Sequence, residues 1–352
     1  MNQLKSNELH VAINDPYQLL DKENSQSADC LRQALDPSVI HSQLQQIPLL
    51  KHFEMPRLSA IRVLRYKPGR RCLIDYQFSD MLHNSLHLIG KVRIKGFDKT
   101  SYSINQTLWR NGFSGAGDDQ IQIPEPTGAI PSCNLWLQRK IEGEPLLPLL
   151  SGKHGEYWGH RVADAAYKLH CTDIPLHRAH SINDELQILH KRLAMVSHLE
   201  PDWGFRLSNV LASCYNLAST LPKVKPRGIH RDYYQDQFIA DDNALYLLDL
   251  DLYCAGDPAL DIGNFVAHTM EVSLRERDDH TALKAVEEAL ITRFLQLNPN
   301  ATRMTVESYI TLSLARHIYI STQFSDRKAY TPRLLDLCEQ RLGLRQSQAV
   351  FL

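Results

Sequence analysis

The tightest constraint on this chain comes from residues 228–249. His230, Arg231 and Asp232 open a loop that closes at Gln237, and Leu247, Leu248 and Asp249 end the run. Between them two short apolar stretches, residues 238–240 and 244–248, flank Asp241, Asp242 and Asn243, a turn signal. The spacing predicts a β-hairpin joining the loop to Asp249, so that the carboxylates of Asp232 and Asp249 emerge at one end of it. Residues 256–265 follow. Gly256 and Asp257 make a turn there, and Pro258 suits the first position of a helix, where its missing N–H costs nothing.

The residue types at those positions share a chemistry. Asp232 is a candidate base, able to orient an acceptor hydroxyl and take its proton. Gln237 offers a neutral carbonyl oxygen and Asp249 a carboxylate. Hard oxygen donors of this kind suit Mg2+, which keeps waters and phosphate oxygens as its other ligands. Phosphoryl transfer asks a protein for positioning and charge neutralisation more than for covalent chemistry. His230 is grouped with Asp232 as a catalytic-loop residue, and its expected role is to hold the loop by hydrogen bonds, as a structural histidine does. A His-x-Asp pair alone says little in a chain with 16 histidines and 40 acidic residues; the surrounding hairpin and turn raise its weight.

The protein-kinase pattern H-R-D-x-x-x-x-N followed by D-F-G is similar, with Gln237 in the Asn position and Asp249, Leu250 and Asp251 where Asp-Phe-Gly would be. Over residues 230–265 the chain resembles the aminoglycoside phosphotransferase and choline kinase superfamily, whose core reads H-x-D-x-x-x-x-N, then I-D, then G-D-P-x-x-D. That resemblance implies that Asp232 is the catalytic base, that Gln237 and Asp249 bind magnesium, and that Asp257 and Asp261 stabilise the C-terminal lobe. Gln in the Asn position also resembles the maltokinase-like branch. The fold it implies is α+β: a two-lobed, protein-kinase-like fold with an N-lobe of antiparallel sheet plus helix and a mainly helical C-lobe.

An N-lobe is legible ahead of the motif. Residues 58–66 alternate like a strand, residues 67–70 form a turn around Gly69, and residues 72–78 return. Residues 86–94 make a third strand after a polar loop. Lys91 sits within it as the phosphate-gripping lysine of kinases does, with Lys95 as the competing choice; a lysine in a strand is otherwise an ordinary solvated edge. Arg65 and Arg70, from the strand and the turn, are further candidate nucleotide contacts. The turn has no G-x-G-x-x-G pattern. The helix expected at residues 99–111 offers Gln106, and no glutamate, as the partner for Lys91. Gly112, Gly115 and Gly117 follow a helix and so read as loop, not as a dinucleotide fingerprint.

Residues 134–141 are expected as a strand running into Glu142, Gly143, Glu144 and Pro145, a turn like the superfamily's hinge. Gln138, Lys140 and Ile141 are there the candidates for contacting the nucleotide base; an ordinary strand-to-loop junction is the equal alternative. The expected organisation is a nucleotide-binding lobe over residues 1–137, with the first 25 poorly ordered, a hinge at 138–145 and a catalytic and substrate-binding lobe at 146–352. Residues 28–44 are expected as a helix leading into the first lobe. Apolar residues at helical spacing predict helices at 156–170, 182–196, 205–221, 258–270, 280–297, 306–322 and 332–344.

Composition narrows the partners. A net charge of −1 leaves no basic footprint for nucleic acid and no attraction to an anionic membrane. A hydrophobic share of 43% with 22% charged residues is ordinary for a globular protein, and 352 residues suffice for two lobes with a core each. No apolar run approaches the ~20 residues that span a bilayer, and the N-terminus lacks a signal-peptide core. The seven cysteines (Cys30, Cys72, Cys133, Cys171, Cys214, Cys254 and Cys338) show no metal-ligand spacing, so reduced thiols and a cytoplasmic protein are expected.

These observations together point to transfer of the γ-phosphoryl group of ATP or GTP to a hydroxyl of a small molecule, which family resemblance alone makes a sugar, an aminoglycoside or an amino alcohol. The alternative is a catalytically inactive nucleotide-binding or scaffold protein of the same fold, motivated by Gln106 and the absent glycine loop. A metal-dependent hydrolase using the same aspartates lacks a supporting ligand cluster.

Overall fold

The computed structural model describes residues 11–19, 26–44, 47, 56–81, 84–241 and 244–345. The chain divides into two compact units between Glu142 and Gly143. Residues 1–10 and 20–25, part of the segment expected to be poorly ordered, and Asp242 and Asn243 of the expected turn lie outside the described residues.

The first unit is built on a six-stranded sheet. Strand β1 (Ala12–Asn14) runs parallel to β2 (Arg57–Lys67), which pairs antiparallel with β3 (Arg71–Ser79), as β3 does with β4 (Ser85–Arg93). Strand Leu135–Arg139 then pairs with β4, and Pro126–Ile130 closes the far edge. Of the segment expected to be poorly ordered, residues 11–19 are described, and within them Ala12–Asn14 form β1. The Asp15 carboxylate accepts from the backbone N–H groups of Tyr17 and Leu19 at the turn after it, and Leu19 is buried.

The β2–β3 hairpin closes on a turn in which the Arg70 N–H donates to the Lys67 carbonyl at 3.0 Å and Gly69 takes φ of 65°, a left-handed conformation that a side chain would strain. Bulges between Leu58 and Ala60 and between Val63 and Arg65 shift the strand's register. They keep Leu58, Ile61 and Val63 inward and leave Leu64 and Arg65 exposed. Gly90 of β4 lies where a Cβ would meet Tyr76 Cε2 at 2.6 Å, so the absence of a side chain is what lets the Tyr76 ring lie across the sheet.

Two helices cover that face. The continuous helix expected at residues 28–44 is in fact α1 (Gln26–Leu35) and α2 (Pro37–Leu44). Pro37 cannot donate to the helical ladder, and the Asp36 carboxylate accepts from the Ser38 N–H at 2.8 Å, so the chain restarts there. Leu31, Leu35, Ile40 and Leu44 pack with Ile61, Ile74 and Leu88 in one core, and the buried Tyr76 hydroxyl donates to the Ala34 carbonyl at 2.8 Å. Helix α3 (Lys99–Leu108) is capped by Asp98, whose carboxylate accepts from the Ser101 N–H at 3.0 Å.

The second unit is mainly helical: α4 (Leu146–Leu150), α5 (Gly155–Cys171), α6 (Ile182–Leu199), α7 (Gly204–Ser219), α8 (Pro258–Arg277), α9 (Lys284–Leu297), α10 (Arg303–Thr322) and α11 (Thr331–Arg341). The helix predicted from residue 280 begins at Lys284, because Asp278, with φ of 58°, ends α8 and Asp279 accepts from the Thr281 N–H at 2.8 Å in the turn between. Helices α8 and α10 cross closely at Gly263, where an added Cβ would sit 2.7 Å from the Tyr309 carbonyl carbon. Short strands hold the loops that matter. Arg227–Ile229 pairs with Cys254–Gly256, and Phe238–Ala240 pairs with Leu245–Leu247 on one side and Glu144–Pro145 on the other. All seven cysteines are free, and Cys171, at the end of α5, is the exposed one. Among the described residues no helix is long and apolar enough to cross a membrane.

Candidate active site

The loop carrying Asp232 starts with a strained residue. Arg231 has φ of 71°, a left-handed conformation costly for a non-glycine. What holds it there is the first turns of α8. Asp261 is fully buried; one carboxylate oxygen accepts from the His230 N–H at 2.8 Å and from His170 Nε2 at 2.9 Å, the other from the Arg231 N–H at 2.7 Å. Asn264, one turn on, donates through Nδ2 to the Arg231 carbonyl at 2.7 Å. Asp257 caps the same helix by accepting from the Ala259 N–H at 3.0 Å.

Beyond that anchor the loop orders its own polar groups. Gln237 Nε2 donates to the Asp232 carboxylate at 3.3 Å, so the amide's other end is its carbonyl oxygen. The Gln237 N–H donates to the Tyr234 carbonyl at 2.9 Å, and the Leu248 N–H donates to the Gln237 carbonyl at 2.8 Å. His230 Nε2 donates to the Leu248 carbonyl at 2.7 Å, which fixes its tautomer and ties the loop to the residue before Asp249. Asp249 itself takes φ of 52°. Underneath, the fully buried Tyr233 ring packs against His230, Phe238 and Phe265, with centroids 5.7, 5.1 and 6.0 Å away, and its hydroxyl donates to the Val162 carbonyl at 2.6 Å. Burial pushes that phenol well above its ordinary 10.0.

The structure therefore brings His230, Asp232, Gln237 and Asp249 together on one loop and hairpin. The donor set fits a magnesium ion: an amide oxygen, a carboxylate, and room in the ion's coordination for phosphate oxygens and water. Among the described residues no three His, Cys, Asp or Glu side chains form a ligand cluster of their own.

The remaining candidates lie in the first unit. Lys91 stands in mid-β4 opposite Leu73 and Trp136, with its ammonium 4.8 Å from the centre of the buried Trp136 ring. Gln106 lies on α3, where its Nε2 donates to the Tyr102 hydroxyl at 3.0 Å, a pairing at i, i+4 on one helix. Tyr102 in turn sits 5.9 Å from Trp136. Trp136 is thus the neighbour of Lys91 that sequence reasoning missed. The sequence marked residues 134–141 as a strand, and its pairing with β4 comes from the structure. Arg65 and Arg70 are both exposed, on the bulged end of β2 and in the turn. Gln138 is buried in its strand opposite Ile89 and Pro126. Lys140 places its ammonium 3.3 Å from the buried Asp75 carboxylate, which also meets His87 Nδ1 at 3.1 Å. Ile141 is half-buried just past the strand.

A family model, that of the phosphotransferase enzyme family, matches residues 118–294, which include the whole loop, the hairpin and all of α8. The chain belongs to the phosphotransferase enzyme family. As a phosphotransferase it has many structural likenesses. Choline kinase from Cryptosporidium parvum matches with a TM-score of 0.61 and 15% identity, over 88% of this chain and 96% of that one. A thermostable mutant of aminoglycoside phosphotransferase APH(4)-Ia, in a ternary complex with AMP-PNP and hygromycin B, matches with 0.54 and 16%, over 83% and 96%. The GDP complex of aminoglycoside 2'-phosphotransferase-IIIa matches with 0.51 and 14%, over 87% and 97%. At such identities the likeness is one of fold, the kinase-like α+β fold. No curated protein matches the chain. Within this phosphotransferase, His170 and Asn264 are positioning residues that the sequence did not single out: His170 lies outside the 230–265 run, and Asn264 lies within it but carries no role in the pattern that the run resembles.

Proposed function

We propose that the protein moves the γ-phosphoryl group of ATP or GTP to a hydroxyl of a small molecule, with Asp232 as the base. The observation that carries this is the double tether of the loop. Asp261 and Asn264 hold its backbone, and Gln237 holds the Asp232 carboxylate, so a carboxylate is kept in one place to orient a hydroxyl and receive its proton. Gln237 and Asp249 would hold magnesium, which when bound neutralises phosphate charge. His230 keeps the residue before Asp249 in register with the loop. Residues 1–137 serve as the nucleotide-binding lobe, with Lys91, Arg65 and Arg70 on the phosphates and the segment 138–145 as hinge; residues 146–352 carry catalysis and the acceptor. That similar structures are complexes with AMP-PNP or GDP supports a nucleotide donor of either base. A cytoplasmic location accords with seven free thiols.

A thermal-shift titration with Mg-ATP and Mg-GTP, on the wild type and on Asp249→Ala, tests the proposal. Binding to the native state alone raises the midpoint by mass action. The expected result is a magnesium-dependent rise that Asp249→Ala loses. Absence of a shift with both nucleotides would favour the inactive scaffold.

A further inference from the structure

Beside the catalytic loop lies a group of cations with too few anions. Asn264, whose Nδ2 holds the Arg231 carbonyl, accepts from Arg316 Nη2 at 2.8 Å through its other end. Tyr234, two residues after Asp232, stacks on His268 with ring centres 4.4 Å apart, and His268 meets the edge of His317 at 4.2 Å. Arg192 of α6 is half-buried and lies 5.4 Å from the Tyr319 ring centre. Among the described residues its guanidinium has neither a hydrogen-bond nor an ion-pair partner, and the same holds for both ring nitrogens of the buried His317.

Of the carboxylates nearby, Asp236 faces Arg327 and Arg275 electrostatically, and two others are paired. Glu185 reaches Arg316 at 3.4 Å and His180 at 2.5 Å, and Glu271 faces Arg275 at 3.3 Å and Arg327 at 3.9 Å. Two titrations register the excess positive charge. Burial, reinforced by Arg316, Arg327 and Arg192, pushes His317 down to about 3. Burial and the neighbouring Arg316 lower Arg192 as well. A neutral imidazole with free ring nitrogens and a guanidinium with unfilled donors are the groups that recognise a carboxylate or phosphate.

We infer that this cluster binds an oxyanion on the acceptor, so that the substrate is a hydroxyl-bearing carboxylate or phosphate ester, and that Arg192 selects it. The inference rests on the phosphotransfer function proposed above. It disfavours a polycationic aminoglycoside, whose ammonium groups would meet Arg192 and Arg316 at the position where an anion is stabilised.

The test is calorimetric binding of inorganic phosphate, D-glycerate, glucose 6-phosphate, choline and kanamycin to the full chain, with and without saturating Mg-ADP. The donor site is then filled while acceptor-side anions are read. The expected result is binding of at least one of the three anions, preferred over choline and kanamycin, weakened at least tenfold in Arg192→Ala and partly restored in Arg192→Lys. Lys284→Ala, on α9, leaves it unchanged. Thermal midpoints confirm that each variant is folded. Phosphate binding without D-glycerate binding assigns the phosphate-ester arm, and the reverse assigns the carboxylate arm. Equal anion binding by wild type and Arg192→Ala, preference for choline or kanamycin, or no anion binding by the folded wild type overturns the inference. Failure of Mg-ADP to bind, with Arg192-dependent anion binding intact, removes the phosphotransfer proposal and leaves the anion site.

Discussion

Asp261 accepts the backbone N–H of Arg231 at 2.7 Å from fully buried surroundings, and so a helix side chain sets the conformation of the loop that carries the proposed base. The same carboxylate accepts from the His230 N–H and from His170. Asp261→Asn keeps the shape and removes the charge, leaving buried donors poorly matched. The expected cost is about 3 kcal/mol of folding stability, read as a lower urea midpoint, together with a loss of turnover larger than the loss of nucleotide affinity.

Asp232→Asn separates chemistry from binding. The base acts on the acceptor, so transfer should be abolished while Mg-nucleotide affinity, measured by calorimetry, stays near that of the wild type. Equal loss of both would make Asp232 a structural residue.

Lys91 rests against Trp136 with no acidic side chain of α3 directed to it by sequence. Lys91→Ala should weaken nucleotide binding or turnover at least tenfold, about 1.4 kcal/mol. Lys95→Ala should change neither, and the reverse pattern would move the phosphate contact to Lys95.

Glu287 provides a pH-dependent stability term. It lines a cavity of about 240 Å³ shared with Lys284, Glu288, Glu307 and Arg341, and it accepts from the Thr269 hydroxyl at 2.8 Å. Burial raises its carboxyl from 4.5 to about 7. Between those two values the folded protein keeps the proton that the unfolded chain releases. The contribution is therefore present below pH 4.5 and falls as pH rises towards 7, by about 3 kcal/mol at most. Glu287→Gln should flatten that part of the stability–pH curve, as measured by urea unfolding across the window.

Much of this fold and part of its site could be seen in the residues themselves. Strand alternation around Tyr76 and Lys91, the loop from His230 to Gln237 and the start of α8 at Pro258 follow local rules of period and capping, and the structure has them. The division of residues 26–44 into two helices was also local, written in Asp36 and Pro37, but the apolar periodicity running across them concealed it. Trp136 beneath Lys91, and His170 and Asn264 around the loop, were not legible, because each acts through a contact between segments distant in sequence. Gln106 also has a local partner, the Tyr102 hydroxyl at i, i+4, which spacing on one helix makes legible.

The one exposed thiol has a practical meaning. Burial pushes Cys72 and Cys214 up to about 12 and Cys254 up to about 11, so those sulfurs are both hidden and protonated at neutral pH, whereas Cys171 at the end of α5 meets solvent. Native molecules should therefore take a single alkylating tag quickly, and each further tag counts an opening of the interior. The phosphotransferase carries its own mass-spectrometric clock for unfolding, with no engineered label needed.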